Sequence, residues 1–272
     1  MNSVCFAPKF CAIDWKKKQD CSTALRQIVT WNVSGWRPLQ WNNPKAKAIL
    51  RYARKGIVCI QETRWSEGTA TIFLKTYPGF TIAHSPANVT ERGGLSGGVA
   101  IIMPCAFRLL QQKEILPGKA IAAQVQTRTD QFWVLSVYCH PQTVRIDCET
   151  ISQWLHAHCL GDDPCFLLGD FNQGDALFPD IWQRITEAVQ GEDIVGDEPT
   201  FWGPNGSSSL DRVVLPMEYM NRGLIQCQAY YDRFFDSSGH ASITIKLSHR
   251  PPVISSSDLP THMTIPAWKG PA

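Results

Sequence analysis

Seven short apolar runs recur along the chain, each bounded by polar or turn-forming residues: QIVTWNV from Gln27, GIVCIQE from Gly56, GGVAIIM from Gly97, FWVLSVY from Phe132, CFLLGDF from Cys165, LDRVVLP from Leu210 and ASITIKL from Ala241. They are short and rich in Val and Ile, the pattern of buried strands. Helix-like segments separate some of them. NPKAKAILRYARKG has Pro44 near its start and Gly56 just past its end. RIDCETISQWLHAHC sets Ile151, Trp154, Leu155 and Cys159 on one face at helical spacing. PDIWQRITEAVQG repeats the Pro-start and Gly-stop pattern, from Pro179 to Gly191. Other runs follow one another with loops alone between them. The mixture predicts a sheet-rich α/β sandwich with helices outside, not a strictly alternating parallel fold.

At 272 residues with 44% hydrophobic and 18% charged side chains, the chain can bury a sizeable core. A net charge of +2 neither requires nor excludes a polyanionic partner, so a nucleic-acid site would have to be a local patch. The run Lys16-Lys17-Lys18 lies in a segment without periodicity and reads as a solvated tail. The ten cysteines include no C-x-x-C, and Cys59, Cys105, Cys139 and Cys165 sit in apolar strand-like runs as small hydrophobes. In HAHC, His156 and His158 would point apart on a helix, which argues against a metal site with Cys159. No signal peptide and no membrane span are apparent, so an intracellular, reduced protein without a membrane partner is expected. We divide the chain into a flanking segment 1–24, a domain 25–248 and a Pro/Ser-rich linker or tail 249–272.

The stretch PCFLLGDFN ends a dry run in a carboxylate, Asp170, and two residues later an amide, Asn172. On extended chain they would face one spot; an Asx turn is the ordinary alternative. The same pattern recurs. Asn32 closes the first run, Glu62 the second and Tyr138 the fourth, while Asp211 opens a strand and His240 precedes another. These residue types suit phosphodiester hydrolysis. Glu62 can hold a hard divalent cation, which prefers oxygen ligands. Asp170 can orient and deprotonate water. Asn172 can hold phosphate without adding negative charge, Tyr138 can donate to a phosphate oxygen, and cationic His240 can donate to the transition state. Asp211 can keep that imidazole oriented and protonated.

The ordered series WNVSGW, QET, VY, GDFN, LDRV and a late S-x-H resembles the endonuclease/exonuclease/phosphatase superfamily, the DNase I-like fold, over residues 29 to about 247. The resemblance implies a four-layered α/β sandwich with two packed, mostly antiparallel sheets and helices outside. It implies Asn32 and Glu62 at the metal-binding edge, for Mg²⁺ or Mn²⁺, with Glu62 the main ligand. It makes Tyr138 a phosphate contact, Asp170 the water-activating aspartate, Asn172 its phosphate-positioning partner, Asp211 the partner of the catalytic His240, and Ser208 a phosphate-contacting serine. Where the family carries Ser-Asp-His, residues 238–240 are Ser-Gly-His. Gly239 brings no ligand oxygen, so weaker metal binding is expected, with a decayed, non-cutting copy the alternative; nothing in the sequence marks the nearby Asp236 as a substitute ligand.

Within the superfamily, TWNVSGW, CIQETRW, GGVAIIM, SVYCHP, FLLGDFN and PTFWGPNGSSSLDRVV look most like endonuclease domains of non-LTR, LINE-type retrotransposons. That resemblance implies DNA as partner, nicking that leaves a 3′-hydroxyl, origin in a longer reverse-transcriptase polyprotein and action in the nucleus. The rival reading is an inositol-phosphate or lipid phosphatase of the same fold, although SLDRVVLP retains only an Asp-Arg pair of that group's motif. Trp36, Trp41 and Trp65 lie in loops beside the motifs and can stack on bases, though covering a sheet edge is the commoner use of such residues. Arg37, Arg64 and Arg92 are candidates for backbone phosphates, which would make binding salt-sensitive.

Overall fold

The computed structural model describes residues 24–36, 44–158, 163–172, 178–195, 199–221, 229–232 and 239–247. One six-stranded sheet is built from β1 (Gln27–Asn32), β2 (Ile57–Gln61), β3 (Phe80–Ser85), β6 (Val99–Pro104), β15 (Ala229–Asp232) and β16 (Ser242–Lys246), in the order β15-β16-β1-β2-β6-β3. The hairpin β4 (Asn88–Val89) and β5 (Leu95–Ser96) interrupts it between β3 and β6. A second six-stranded sheet contains β7 (Arg108–Leu116), β8 (Ala120–Gln126), β9 (Gln131–Tyr138), β10 (Cys165–Asp170), β11 (Gly191–Asp193) and β14 (Asp211–Pro216), in the order β11-β14-β10-β9-β8-β7. The hairpin β12 (Phe201–Gly203) and β13 (Gly206–Ser208) precedes β14. Each large sheet has one parallel pair, β1 with β2 and β9 with β10; the other pairs are antiparallel, as expected.

The seven runs are apolar throughout because both faces of their strands are covered. Ile28, Cys59, Ile101, Phe132, Phe166, Leu168, Val213 and Ile243 meet between the two sheets. The opposite faces pack outward. Val29, Trp31, Val58 and Ala100 lie under α1 (Pro44–Ala53) and Phe73 of α2 (Thr69–Thr76). Leu135, Leu167 and Val214 lie under α3 (Val144–His158) and α4 (Pro179–Val189). A short helix, α5 (Met217–Asn221), follows β14. These are the four layers of the expected sandwich. Among the described residues, no helix is long and apolar enough to cross a membrane.

Several local features differ from the sequence reading. The strands β3, β7 and β8 lie outside the seven runs: β8 is Ala-rich, and β7 is an edge strand with exposed positions along it. Helix α4 stops not at Gly191 but at Gln190, which takes the left-handed conformation (φ 50°) while Gly191 begins β11. Cys105 is exposed, one residue past the end of β6, and so is not a core hydrophobe; Cys59, Cys139 and Cys165 are buried. His156 and His158 are exposed on α3, and Cys159 lies outside the described residues.

Gly169 marks the place where the second sheet needs its closest approach. A Cβ there would stand 1.9 Å from the Val137 carbonyl oxygen, so no other residue fits between β9 and the end of β10. Toward that end of the sandwich the inner faces turn polar. Gln61 Nε2 donates to Thr30 Oγ1 and to Ser136 Oγ, both at 3.1 Å, and all three residues are fully buried. This layer ties β1, β2 and β9 together beneath the strand ends.

Candidate active site

Strand register carries the acidic and polar groups to one edge. In the second sheet Asp170 is the direct cross-strand neighbour of Asp211 on one side and of Tyr138 on the other. In the first sheet Asn32 is paired with Gln61, one residue before Glu62. The two edges meet where Asn32 Nδ2 donates to Asp170 Oδ2 at 2.7 Å. His240 stands at the entry to β16. Its Nδ1 is 3.0 Å from Asp211 Oδ2, and its Nε2 is 3.8 Å from Asp170 Oδ2. Groups from both sheets thus converge.

Asp170 and Asn172 do share one spot, but through the Asx turn rather than instead of it. The Asn172 backbone N–H donates to Asp170 Oδ1 at 2.8 Å, with Asn172 itself in the left-handed region (φ 46°). Its amide Nδ2 reaches the Cys139 carbonyl at 2.7 Å and Asp170 Oδ2 at 3.3 Å. Left-handed backbone concentrates here: Ser34, Glu62 and Arg64 also have positive φ, of 44°, 50° and 53°. Such conformations are held against their intrinsic cost by the surrounding structure and cluster at working sites. Here Ser34 N–H is fixed by Asn32 Oδ1 at 2.9 Å, and Thr63 and Arg64 N–H by the Gly98 and Gly97 carbonyls, both at 2.9 Å.

Electrostatics separates the roles of the groups. Asp170 is almost wholly buried, and burial, followed by the adjacent Asp211 carboxylate, pushes its pKa up to about 7 against the opposing pull of His240, Asn32 and Asn172. For His240 burial works against the cation. The Asp211 carboxylate and its hydrogen bond outweigh that, with Asp170 and Glu62 adding to the effect, and push the imidazole up to about 9. Burial and the Glu62 carboxylate, to which it hydrogen-bonds, hold the Tyr138 phenol far above its ordinary range, so it is a neutral donor.

Oxygen donors on the other rim suit a hard cation. The Glu62 side chain keeps 20% of its surface exposed, and its carboxylate faces Arg64 Nη2 at 3.5 Å. Asn32 Oδ1 lies on the adjoining parallel strand. Asp170, Asp211 and His240 also bring ligand atoms within 4.8 Å of one another. They are already joined as a unit of two carboxylates and an imidazole, and Asp211 Oδ1 alone in that unit is buried without a hydrogen-bond partner.

Arg64 is half exposed beside Glu62. Arg92 is exposed at the turn of the β4–β5 hairpin, and Ser208 is exposed on β13 with its carbonyl taking the Thr200 N–H at 3.0 Å. Trp36 and Trp65 are buried against each other and Phe73, with Trp65 Nε1 bound to the Trp36 carbonyl at 2.7 Å, so their use is packing and not base stacking. Arg37, Trp41 and Asp236 lie outside the described residues.

Thr200 is a site residue that the motifs did not single out for a role. It is fully buried, and its Oγ1 takes the backbone N–H of Leu210 at 3.0 Å and of Asp211 at 2.9 Å. Its carbonyl takes the Ala241 N–H at 2.7 Å. One residue therefore fixes the strand start that carries Asp211 and the segment that carries His240. A threonine ahead of the aromatic pair Phe201-Trp202 was the only sequence signal.

Two mixed sheets face to face, helices on both outer faces, and an acid–amide–imidazole cluster at one edge define the DNase I-like class. The chain belongs to the Endonuclease/Exonuclease/phosphatase family, whose model matches residues 29–257. No curated protein matches the sequence. Among solved structures, the AP endonuclease of Leishmania major is similar with a TM-score of 0.64 at 15% identity, over 83% of this chain and 88% of that one. The endonuclease domain of TRAS1, a telomere-specific non-LTR retrotransposon, gives 0.59 at 17% identity, over 83% and 99%. A 3′-5′ exonuclease from Neisseria meningitidis gives 0.61 at 16%, over 82% and 99%. At these identities the likeness is one of fold.

Proposed function

We propose that the chain is a Mg²⁺- or Mn²⁺-dependent phosphodiesterase that nicks DNA and leaves a 3′-hydroxyl, the endonuclease of a non-LTR retrotransposon. The observation that carries the reading is the continuous chain Asp211–His240–Asp170–Asn32, which joins the two sheets at one edge. The similarity to the TRAS1 endonuclease domain favours the retrotransposon assignment, and a similar Neisseria structure bound to a product DNA hairpin favours DNA as substrate. On this reading residues 25–248 are the catalytic domain, segments 1–24 and 249–272 flank it within a longer reverse-transcriptase polyprotein, and the site of action is the nucleus.

Ionised Asp170 accepts a proton from the attacking water, whose oxygen bonds to phosphorus. Protonated His240, oriented by Asp211, donates to a phosphate oxygen as negative charge builds. Tyr138 and Asn172 hold the phosphate, and Ser208, Arg64 and Arg92 contact the strand. The phosphorus–3′-oxygen bond breaks, leaving a 5′-phosphate on one side and, once protonated, a 3′-hydroxyl on the other. Glu62 and Asn32 would hold the divalent ion, which when bound neutralises phosphate charge and stabilises the departing oxygen.

Nicking of supercoiled plasmid with Mg²⁺ tests the proposal. The wild-type chain is expected to nick, and Glu62→Ala and His240→Ala are expected not to. Gly239, which lacks a ligand oxygen, gives one specific reason for a second reading, a decayed copy; DNA binding without nicking would favour it. Hydrolysis of inositol phosphates without action on DNA would instead favour the phosphatase.

A further inference from the structure

We propose that Phe201 is a positioning residue for His240, its ring filling the space that a side chain at position 239 would otherwise occupy. The inference rests on the reading of His240 as the group that donates to phosphate, and it adds a residue for which neither the motifs nor the comparisons give a role.

Three observations carry it. The Phe201 and His240 rings stand 4.8 Å apart at 50°, a tilted ring contact. The two residues are paired as an isolated antiparallel bridge, flanked by Trp202 N–H to the Gly239 carbonyl at 2.8 Å and Ala241 N–H to the Thr200 carbonyl at 2.7 Å. A Cβ built on Gly239 would lie 2.9 Å from Phe201 Cε2, and one on Gly203 would lie 2.9 Å from Phe201 Cε1. The phenyl is therefore wedged between two glycines and the imidazole. Glycine at both positions leaves it room, and Gly239 moreover has φ +82°, which L side chains rarely adopt.

The physical consequence concerns direction. The Asp211 carboxylate fixes Nδ1 at 3.0 Å, and Asp170 Oδ2 lies 3.8 Å from Nε2. The phenyl packed against the imidazole sets a steric limit on its rotation and holds Nε2 on the side of Asp170. Loss of the phenyl should loosen the donor without touching substrate, so turnover should fall while DNA affinity holds. Misplacing a reacting group by about 1 Å reduces rate on the order of a hundredfold.

The test combines kinetics with a direct view of the imidazole. Phe201→Ala and Phe201→Leu are assayed for plasmid nicking, for DNA binding and by proton NMR of the His240 Nδ1–H, assigned by its disappearance in His240→Gln. Phe201→Ala is expected to lower kcat roughly tenfold to a hundredfold with KM unchanged, and to broaden the Nδ1–H resonance through faster exchange. Phe201→Leu, which keeps apolar bulk against the imidazole, is expected to restore most of both. An Nδ1–H resonance in Phe201→Ala as sharp and as slowly exchanging as in the wild type overturns the proposal. Should Phe201→Ala not fold by circular dichroism, Phe201→Val is read in the same way. The NMR result stands whether or not the chain cuts DNA, so a failure of the nuclease reading is distinguishable from a failure of this one.

Discussion

Asn32 and Asp170, 138 positions apart and in opposite sheets, are joined by a 2.7 Å hydrogen bond from amide to carboxylate. Both residues are almost fully buried. The bond is at once a clasp between the two sheets and a control on the carboxylate that would meet water. Asn32→Ala should leave Asp170 short of a donor where solvent cannot replace it. Loss of a buried partner costs about 1–3 kcal/mol. A loss of unfolding free energy of that order, seen as a lower urea midpoint, is expected, together with a loss of nicking at neutral pH. An unchanged midpoint would show that the clasp contributes nothing to stability.

The pH dependence follows from two groups raised in the folded state. Asp170, at about 7, must lose its proton to act as base, and His240, at about 9, must keep its own to act as donor. Nicking should rise as pH passes about 7 and fall as it passes about 9. Asp211→Asn removes the largest influence raising the imidazole and should draw the alkaline limb downward, toward the ordinary histidine range. A limb that stays in place would assign it to another group.

His240 also links pH to stability. Its folded pKa lies above the unfolded value of 6.5, so the folded state holds the extra proton between 6.5 and about 9. The stabilisation is complete below pH 6.5 and is lost as pH rises through about 9. Denaturation midpoints of the wild type should decline more steeply across that window than those of His240→Gln. Parallel curves would refute the linkage.

Glu62 supplies the carboxylate on the rim proposed to bind the metal, and Tyr138 hydrogen-bonds to it. Glu62→Gln keeps the shape and removes the charge, so it should raise the Mg²⁺ concentration needed for half-maximal nicking by at least tenfold, about 1.4 kcal/mol of binding. Tyr138→Phe should lower kcat and leave that concentration nearly unchanged. Titration of activity against Mg²⁺ distinguishes the two, and equal shifts would assign both residues to the ion.

Restoring the family's aspartate should fail. A Cβ at Gly239 would meet the Trp202 carbonyl at 2.8 Å as well as the Phe201 ring, on backbone with φ +82°. Backbone strain of this kind costs about 1–3 kcal/mol. Gly239→Asp is therefore expected to lower the melting temperature without raising Mg²⁺ affinity. Gain of affinity in a stably folded variant would show that the segment can rearrange around a ligand here.

The layered fold was legible because a strand covered on both faces must be apolar along its length. QIVTWN, IVCIQ and CFLLGD could be read directly, whereas Ala-rich β8 and exposed β7 carry too little of that pattern. The residue types at strand ends were legible for the complementary reason: a carboxylate or amide closing a dry run is costly unless something needs it there. Which groups meet was not. Register is set by strand pairing within each sheet, and it alone makes Asp170 the neighbour of both Asp211 and Tyr138. Thr200 acts through backbone hydrogen bonds and Phe201 through the shape of its ring, and neither leaves a spacing to recognise. The tryptophans show the same divide: sequence placed Trp36 and Trp65 beside the motifs, and packing against Phe73 turned them inward. Sequence by itself determined the layers and the chemical kit. Tertiary structure decided its wiring, because hydrogen bonds and ring contacts act over a few ångströms between residues that the chain holds far apart.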